Sequence, residues 1–245
     1  MKISIEQGGQ SYSALLDSAV SLALPVSNVK RAWYIDEPSF EPVVLGDWTG
    51  SVQAGGSVNF FNVGFNPHAH GTHTETAGHI LPERHSIAQH FKDHLQLAMV
   101  VEAPPVEGVV LWETIAPIVE LLAQHNPTAV IIKSVAQPEA PTHQYSNTDW
   151  VYLEAKVGEE LRNRGVRHLL IDQPSVDQEE DGGALACHRS FWGTDSGDVD
   201  LGRTISELLH IPAAVQSGLY LLQMNVSAID NDAAPSRPII YPVLP

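Results

Sequence analysis

Residues 97–133 have the sequence LAMVVEAPPVEGVVLWETIAPIVELLAQHNPTAVIIK. The short apolar run at 97–102 predicts a buried strand. Apolar residues then recur at every third or fourth position of 113–124, which predicts an amphipathic helix. The second apolar run, at 129–133, predicts another buried strand. A strand, a helix and a strand in succession indicate a βαβ unit with parallel strands.

The same alternation continues beyond this unit. Residues 153–164 carry apolar side chains on one face and are followed by the stop signal Gly165, so they predict a second helix. Residues 168–172 predict a third buried strand, and 219–229 and 238–243 predict longer C-terminal strands. We therefore expect the α/β fold class, with a mixed sheet or partial barrel that is closed by the C-terminal strands and flanked by helices.

Two further strands are predicted before this core, at 19–26 and at 58–65, and the second leads into a histidine-rich segment. The 245 residues contain no internal repeat, no low-complexity segment and no evident linker. We therefore expect one domain that spans residues 1–245.

The chain is strongly acidic, with a formal net charge of −16. A field of that sign repels phosphate groups, so neither nucleic acid nor an anionic membrane is an expected partner. No apolar run approaches the roughly 20 residues of a membrane-spanning helix, and the polar N-terminus has no signal-peptide core. The single cysteine, Cys187, excludes an internal disulfide framework and suits a cytoplasmic location. It is more typical of a buried small side chain than of a nucleophile.

Histidines concentrate in one short stretch. Five of the twelve lie within residues 68–85, and residues 66–79 have the sequence NPHAHGTHTETAGH. Imidazoles and carboxylates are the side chains that bind zinc and other divalent metals. In an extended backbone His73, Glu75 and His79 point the same way, and Gly71 allows the backbone to approach closely. A metal ion with a neighbouring proton-transfer group requires this kind of arrangement.

One alternative is a cupin-like metal oxidoreductase, because His68, His70 and Glu75 have the spacing of the first cupin metal motif. The chain lacks the surrounding glycines and the second motif of that class. Its two predicted amphipathic helices also fit poorly into an all-β jelly roll. The cupin alternative therefore requires an all-β fold, with both His68 and His70 on the metal.

The stretch from Gly71 to His79 resembles the signature His-x-Gly-Thr-His-x-Asp-x-Pro-x-His of the kynurenine formamidase and cyclase family of metal-dependent hydrolases. The resemblance continues in chain order. Residues 170–177 (LIDQPSVD) are similar to the family's Gly-Ile-Asp-x-x-Ser-x-Asp stretch, and residues 234–238 (APSRP) are similar to its Ser-Pro-x-Arg close. His188 and Glu207 fall where the family has a metal-binding histidine and a metal-binding glutamate.

This resemblance implies a swivelling β/α/β-type cyclase-family fold and a hydrolytic activity. It implies a divalent metal, with Zn²⁺ expected and Mn²⁺ as the alternative, held by His73, Glu75, His188 and Glu207. His79 is implied as the general base and acid. The implied reaction is hydrolysis of N-formylkynurenine or a related aryl amide or lactam by a metal-activated water. Isatin-type lactam opening is an alternative reaction, and a non-catalytic metal-binding protein is an alternative function.

The chain departs from the family pattern at the first histidine, which corresponds to Ala69. His68 or His70 could replace it as a metal ligand if the chain bends, although both have the wrong parity in a plain strand. Glu75 stands where the family has an aspartate, and Ala77 where it has a proline. A single metal, or a shifted first ligand, is therefore an alternative to the family's two-metal arrangement.

The resemblance also extends to the pocket and the assembly. Residues upstream of the signature help to shape an aromatic substrate pocket in the family, which implies Trp33 and Trp48 as substrate-binding candidates. Asp172 and Asp177 follow a predicted strand and are interpreted as turn or capping residues. The family resemblance finally implies a homodimer or homotetramer with the site near an interface.

Overall fold

The structure, a computed structural model, describes residues 1–29, 31–134 and 143–244. Among these residues, no helix combines the length and the apolar character needed to cross a bilayer. Three 3₁₀ turns lie at Leu16–Ser18, Ala77–His79 and Thr194–Ser196. In chain order the described strands and helices are β1 (Lys2–Gln7), β2 (Gln10–Leu15), β3 (Val20–Ser21), β4 (Ser39–Pro42), β5 (Val44–Leu45), β6 (Trp48–Thr49), β7 (Phe61–Gly64), α1 (Pro67–His70), β8 (His73–Thr76), α2 (Ile87–His90), β9 (Leu95–Glu102), β10 (Val109–Val110), α3 (Trp112–Ala123), β11 (Ala129–Lys133), β12 (Tyr152–Leu153), α4 (Ala155–Asn163), β13 (His168–Ile171), α5 (Ala186–Trp192), β14 (Thr204–Glu207), β15 (Gly218–Val226) and β16 (Ala233–Pro242).

Seven of these strands form a closed mixed barrel. Their order is β15-β9-β11-β13-β14-β8-β16, and the pairing of β15 with β16 closes the ring. The four strands from β9 to β14 in this order pair in parallel, whereas the remaining pairs are antiparallel. β3 adds an eighth strand on β16. The predicted α/β class, with a mixed barrel-like sheet and flanking helices, is confirmed.

Alternate side chains of the parallel strands face two different cores. On β11, Val130 and Ile132 pack with apolar residues of α3, α4 and α5. Ile131, between them, packs with the apolar residues that fill the barrel. Both faces of the strand are covered, which explains its continuous apolar run. Because side chains fill the barrel interior, the place for a polar site is the outer face or an end of the barrel.

The apolar patterns predicted the central elements to within one or two residues. The strand predicted at 129–133 spans Ala129–Lys133, and the helix predicted at 113–124 spans Trp112–Ala123. The cupin alternative is wrong, because the parallel strands and their connecting helices are incompatible with an all-β fold. The strand predicted at 19–26 is too long: only Val20–Ser21 pairs with β16, and Pro25 has no N–H to donate to a ladder.

Residues 39–64 form a separate segment, the arm. Its four strands pair only with one another in the described residues, β4 with β7 and β5 with β6. Every residue of β4, β5 and β7 is exposed. The strand predicted at 58–65 lies here as Phe61–Gly64 and contributes nothing to the barrel core.

The packing of α4 against α5 depends on Gly158. A Cβ atom at this position would lie 2.8 Å from the carbonyl oxygen of Cys187 and 3.2 Å from its sulfur. Glycine therefore lets the two helices approach where a side chain would separate them. The position of α5 matters because this helix also carries His188.

We expect Gly158→Val to lower the free energy of unfolding by about 1–3 kcal/mol, the usual cost of overpacking. Each kcal/mol should lower the melting temperature by roughly 2–4 °C in a chain of this size, which calorimetry can measure. The control is Glu159→Val, one residue along on the exposed side of α4. Equal melting temperatures for Gly158→Val and Glu159→Val would contradict the packing argument.

Candidate active site

Two antiparallel neighbours, β8 and β14, carry the centre of the site. Their register places Glu207 opposite His73 and Ile205 opposite Glu75. Ile205 packs with the flanking helices, so His73, Glu75 and Glu207 share that outer face of the barrel. All three side chains are buried, and Nε2 of His73 lies 3.3 Å from Oε2 of Glu207.

His188 reaches the same point from α5. Its Nε2 lies 3.1 Å from Oε1 of Glu75 and 3.6 Å from Oε1 of Glu207. Its Nδ1 lies 2.6 Å from Oδ2 of Asp177. The carboxylate of Asp177 also accepts the backbone N–H groups of Cys187 and His188. Asp177 therefore caps the start of α5, as expected, and in addition orients the His188 ring.

The single helical turn Pro67–His70 determines which neighbouring histidine joins this group. The chain does bend here, because the backbone of these residues is helical, so the parity of a plain strand does not apply. Nδ1 of His68 lies 2.9 Å from Oε2 of Glu75. His70 instead bonds to backbone groups, with Nε2 2.8 Å from the carbonyl oxygen of Asp36. The structure thus brings His68 to Glu75 and keeps His70 away.

His79 lies beside His68, with the two rings stacked and their centroids 4.3 Å apart. One carboxylate contacts both: Oδ2 of Asp232 is 2.8 Å from Nε2 of His68 and 3.4 Å from Nδ1 of His79. The His79 side chain is 33% exposed, whereas those of His68 and His188 are 18% and 2% exposed. Of the imidazoles in this group, His79 is therefore the most accessible to a ligand.

The buried charges of this cluster keep one another ionised. Burial alone raises the pKa of Glu75, but His79, His188 and His68 outweigh it and hold that pKa well below its usual value. Burial lowers the pKa of His68, yet its hydrogen bond to Asp232 and the adjacent negative charge of Glu75 raise it to about 10. The pKa of His188 is likewise raised by its carboxylate neighbours, against the effect of burial. Protonated imidazoles thus balance the carboxylates.

The donor set fits a metal ion. Nε2 of His73 and Oε2 of Glu75 are buried without a hydrogen bond from any described residue. Each has a neighbour within ion-pair distance, but not in hydrogen-bond geometry, and such atoms cost about 1–3 kcal/mol. Nδ1 of His73 lies 3.1 Å from the carbonyl oxygen of Gly71. A proton on Nδ1 leaves the Nε2 lone pair directed at the cluster, the usual state of a metal-binding imidazole.

Among the described residues, two groups of side chains have ligand atoms within 4.8 Å of one another and could hold a metal ion, and both groups include Glu75. One group is His73, Glu75 and Glu207, and the other is His68, Glu75 and His79. Nε2 of His188 also lies close, 3.1 Å from Glu75 and 3.6 Å from Glu207. The shared carboxylate of Glu75 thus lies within reach of ligand atoms from both groups. The roles of these residues as ligands stay predictions.

A cavity of about 320 Å³ opens from this cluster. Its size is at the small end of the range for ligand pockets, about 300–1,000 Å³. Trp33 lies in its wall, as its predicted role in substrate binding requires. Trp48 does not line this cavity and packs against Phe60 in the arm, with ring centroids 6.3 Å apart. The lining residues are Trp33, Ile35, Asn66, His68, His79, Ser175, Leu185, His188 and Glu207.

Sequence reasoning missed Asp232, which contacts both His68 and His79. It is 164 residues from His68 and comes beside it only because β16, which begins at the next residue, pairs with β8. The sequence Asp230-Asn231-Asp232 is typical of a surface turn between two strands. No local signal distinguishes it from such a turn.

Comparisons with known proteins agree with this architecture. A family model described as "Putative cyclase" matches residues 20–178, well over half of the chain. No curated protein matches the chain in sequence.

Solved structures match it over nearly its whole length. A structure described as a "predicted metal-dependent hydrolase" from Bacillus stearothermophilus has a TM-score of 0.61 at 15% identity, covering 91% of this chain and 97% of its own. Isatin hydrolase A from Labrenzia aggregata, bound to benzyl benzoate, has a TM-score of 0.62 at 14% identity, covering 91% and 92%. Isatin hydrolase A from Ralstonia solanacearum has a TM-score of 0.62 at 12% identity, covering 91% and 90%.

At these identities the likeness shows a shared fold. The family model, in contrast, matches the sequence itself across β3, β8, β11 and β13. The barrel and the ordered motifs agree with that match. The chain belongs to the "Putative cyclase" family.

Proposed function

We propose that this protein is a metal-dependent hydrolase that cleaves the carbon–nitrogen bond of an aryl amide or lactam. The observation that carries this proposal is the convergence of His73, Glu75, His188 and Glu207 on one buried point beside a cavity. Family membership supports it, as do structural neighbours described as a metal-dependent hydrolase and isatin hydrolases.

In this proposal His73, Glu75, His188 and Glu207 hold a divalent cation, and His68 replaces the family's first histidine. Mixed imidazole and carboxylate donors suit Zn²⁺, with Mn²⁺ as the alternative. When bound, such a cation polarises a carbonyl oxygen and lowers the pKa of a water molecule to about 7. His188 must be neutral to act as a ligand, so loading releases its proton.

His79 is the proposed general base and acid. Its ring is part of the cavity wall, and Asp232 lies 3.4 Å from its Nδ1. With Nδ1 directed at that carboxylate, Nε2 is the nitrogen that takes a proton from water and delivers it to the leaving amine. Asp232 would stabilise the ring while it carries the extra proton.

The cavity walls indicate the kind of substrate. Trp33, Ile35 and Leu185 line it, so a planar apolar ring can pack there while its amide carbonyl faces Glu207 and His188. An N-formyl aryl amide such as N-formylkynurenine meets this description. An isatin-type lactam meets it as well, which is why both belong in the first assay.

The metal requirement can be tested directly. We expect protein treated with a chelator to be inactive, and reloading with Zn²⁺ or Mn²⁺ to restore cleavage of N-formylkynurenine, formanilide or isatin. Formate release and the absorbance change on ring opening are the measurements. Elemental analysis on the same samples gives the metal content. Metal-loaded protein that cleaves none of these would indicate the non-catalytic metal-binding alternative.

Replacing His79 tests the proton-transfer step. We expect His79→Ala to lower kcat by about 10²–10⁴-fold, the usual contribution of a general acid–base group, while metal content is unchanged. His85→Ala, a histidine of the same segment outside the cavity lining, is the control and should keep full activity. Loss of metal from His79→Ala would instead identify His79 as a ligand, and full activity would refute its role.

We also propose that the arm packs against a second copy of this chain. Only Glu41 and Asp47 are charged within residues 39–64, although the chain as a whole is strongly acidic. Eight of the sixteen exposed large hydrophobic residues among the described ones lie there: Phe40, Val44, Leu45, Val52, Val58, Phe60, Phe61 and Val63.

The extent of this surface supports self-association. A stable interface buries about 800 Å² on each partner, and the eight large exposed apolar residues of the arm can supply much of such a surface. An isolated pair of strands is also only marginally stable in water, so the arm needs a cover. Two copies can cover each other's arms without bringing their acidic surfaces into the centre of the contact.

Changing one residue of the arm tests this assembly. We expect the wild-type chain to be a dimer or tetramer by light scattering, and Leu45→Glu, at a position 67% exposed, to shift it toward monomer by placing a charge in the interface. Leu121→Glu, on α3 at a position 60% exposed, is the matched control and should leave the assembly intact. A monomeric wild-type chain would refute the proposal.

A further inference from the structure

Two consecutive residues at the cavity wall have an unusual backbone. Trp33 has a φ of 64° and Tyr34 a φ of 60°. This left-handed region is costly for bulky side chains and persists only where surrounding contacts enforce it. Specific contacts with neighbouring residues must therefore hold Trp33 and Tyr34 in this conformation.

Tyr34 is held at both its main chain and its side chain. Its backbone N–H donates to Oγ of Ser146 at 3.1 Å, and its hydroxyl donates to Oε1 of Glu179 at 2.7 Å. The residue as a whole is nevertheless 56% exposed. Burial of the ring therefore does not explain its position. The hydroxyl contact with Glu179 is the specific restraint.

Glu179 also organises the facing loop. Its carboxylate accepts the backbone N–H groups of Asn147, Thr148 and Asp149 at 2.6, 3.2 and 3.2 Å. Four donors thus meet on the carboxylate of Glu179, and this residue as a whole is only 9% exposed. Such charge-assisted bonds are stronger than neutral ones. Glu179 is consequently a fixed anchor, and Tyr34 is attached to it.

Trp33 lies between this anchor and the candidate active site. Its ring meets that of Trp150 edge-on, with centroids 4.9 Å apart and planes at 85°, an arrangement that aromatic pairs prefer. Trp33 also lines the cavity together with His79 and His188. The position of its ring is therefore set by Trp150 on one side and by the backbone of Tyr34 on the other.

We propose that Tyr34 and Glu179 form a wall latch, a pair of positioning residues that holds Trp33 against the ring of an aromatic substrate. This inference rests on the proposed function and extends it to substrate selection. The latch touches neither the metal-binding candidates nor His79. It acts on how well a planar ring is bound and leaves bond cleavage unchanged.

The test removes one hydroxyl. With formanilide, Tyr34→Phe should raise KM by about 5–30-fold, the effect of losing the one hydrogen bond that the hydroxyl makes to a charged partner, with kcat within twofold of wild type. With N-methylformamide, which has no ring, KM should not change. Tyr241→Phe is the matched control, because its hydroxyl donates to Gln223 at 2.9 Å on β15, away from the cavity. It should change neither constant.

A second measurement needs no turnover. Quenching of tryptophan fluorescence by acrylamide should increase in Tyr34→Phe, and the increase should vanish when Trp33→Phe is added. If metal-loaded wild type cleaves neither of these amides and neither N-formylkynurenine nor isatin, the proposed function fails. Quenching together with formanilide affinity by calorimetry then still decides the latch. The latch would be refuted by an unchanged KM or affinity for formanilide, by unchanged quenching, or by an equal rise in KM for the ring-bearing and the ringless amide.

Discussion

The buried carboxylate of Glu75 is the constraint around which the site is built. It is fully buried on β8, where an unpaired charge would cost several kcal/mol. His188 and His68 approach its two oxygens from different parts of the chain, at 3.1 and 2.9 Å. The fold therefore places positive charge, or a cation, at this point. A neutral residue at position 75 would leave the surrounding imidazoles and Glu207 without the charge that organises them.

The buried carboxylate of Glu75 also couples the protonation of the neighbouring histidines to metal binding. Without a cation, the raised pKa values of His68 and His188 mean that protons neutralise the carboxylates. A cation at the same point would replace those protons, because a ligating imidazole must be neutral. Asp177 is hydrogen-bonded to Nδ1 of His188. This bond would keep Nε2 directed at Glu75 whether that nitrogen carries a proton or binds a metal.

The sequence predicts a structural feature well when the residues that cause it lie within one short stretch of chain. β11 and β13 were predicted because continuous apolar runs suffice for strands covered on both faces. β8 has the sequence HTET and is buried at all four positions, so no hydrophobic pattern could find it. Only the chemistry of its histidine and glutamate, and the resemblance they carry, indicated its importance. The exposure of the arm was equally hidden, since an apolar strand ordinarily predicts burial.

The segment between Arg31 and Ser39 connects three features that the sequence presents as unrelated. It carries Trp33 in the cavity wall, its Asp36 carbonyl oxygen lies 2.8 Å from Nε2 of His70, and it continues directly into the arm. His70 is not directed at the cluster. Its role is structural, because this contact ties the segment to the helical turn that carries His68. Few residues separate Trp33 from the arm, so a second copy packed on the arm, as proposed, would also restrict the movement of Trp33. The proposed assembly would then be coupled to the shape of the pocket through this one short connection.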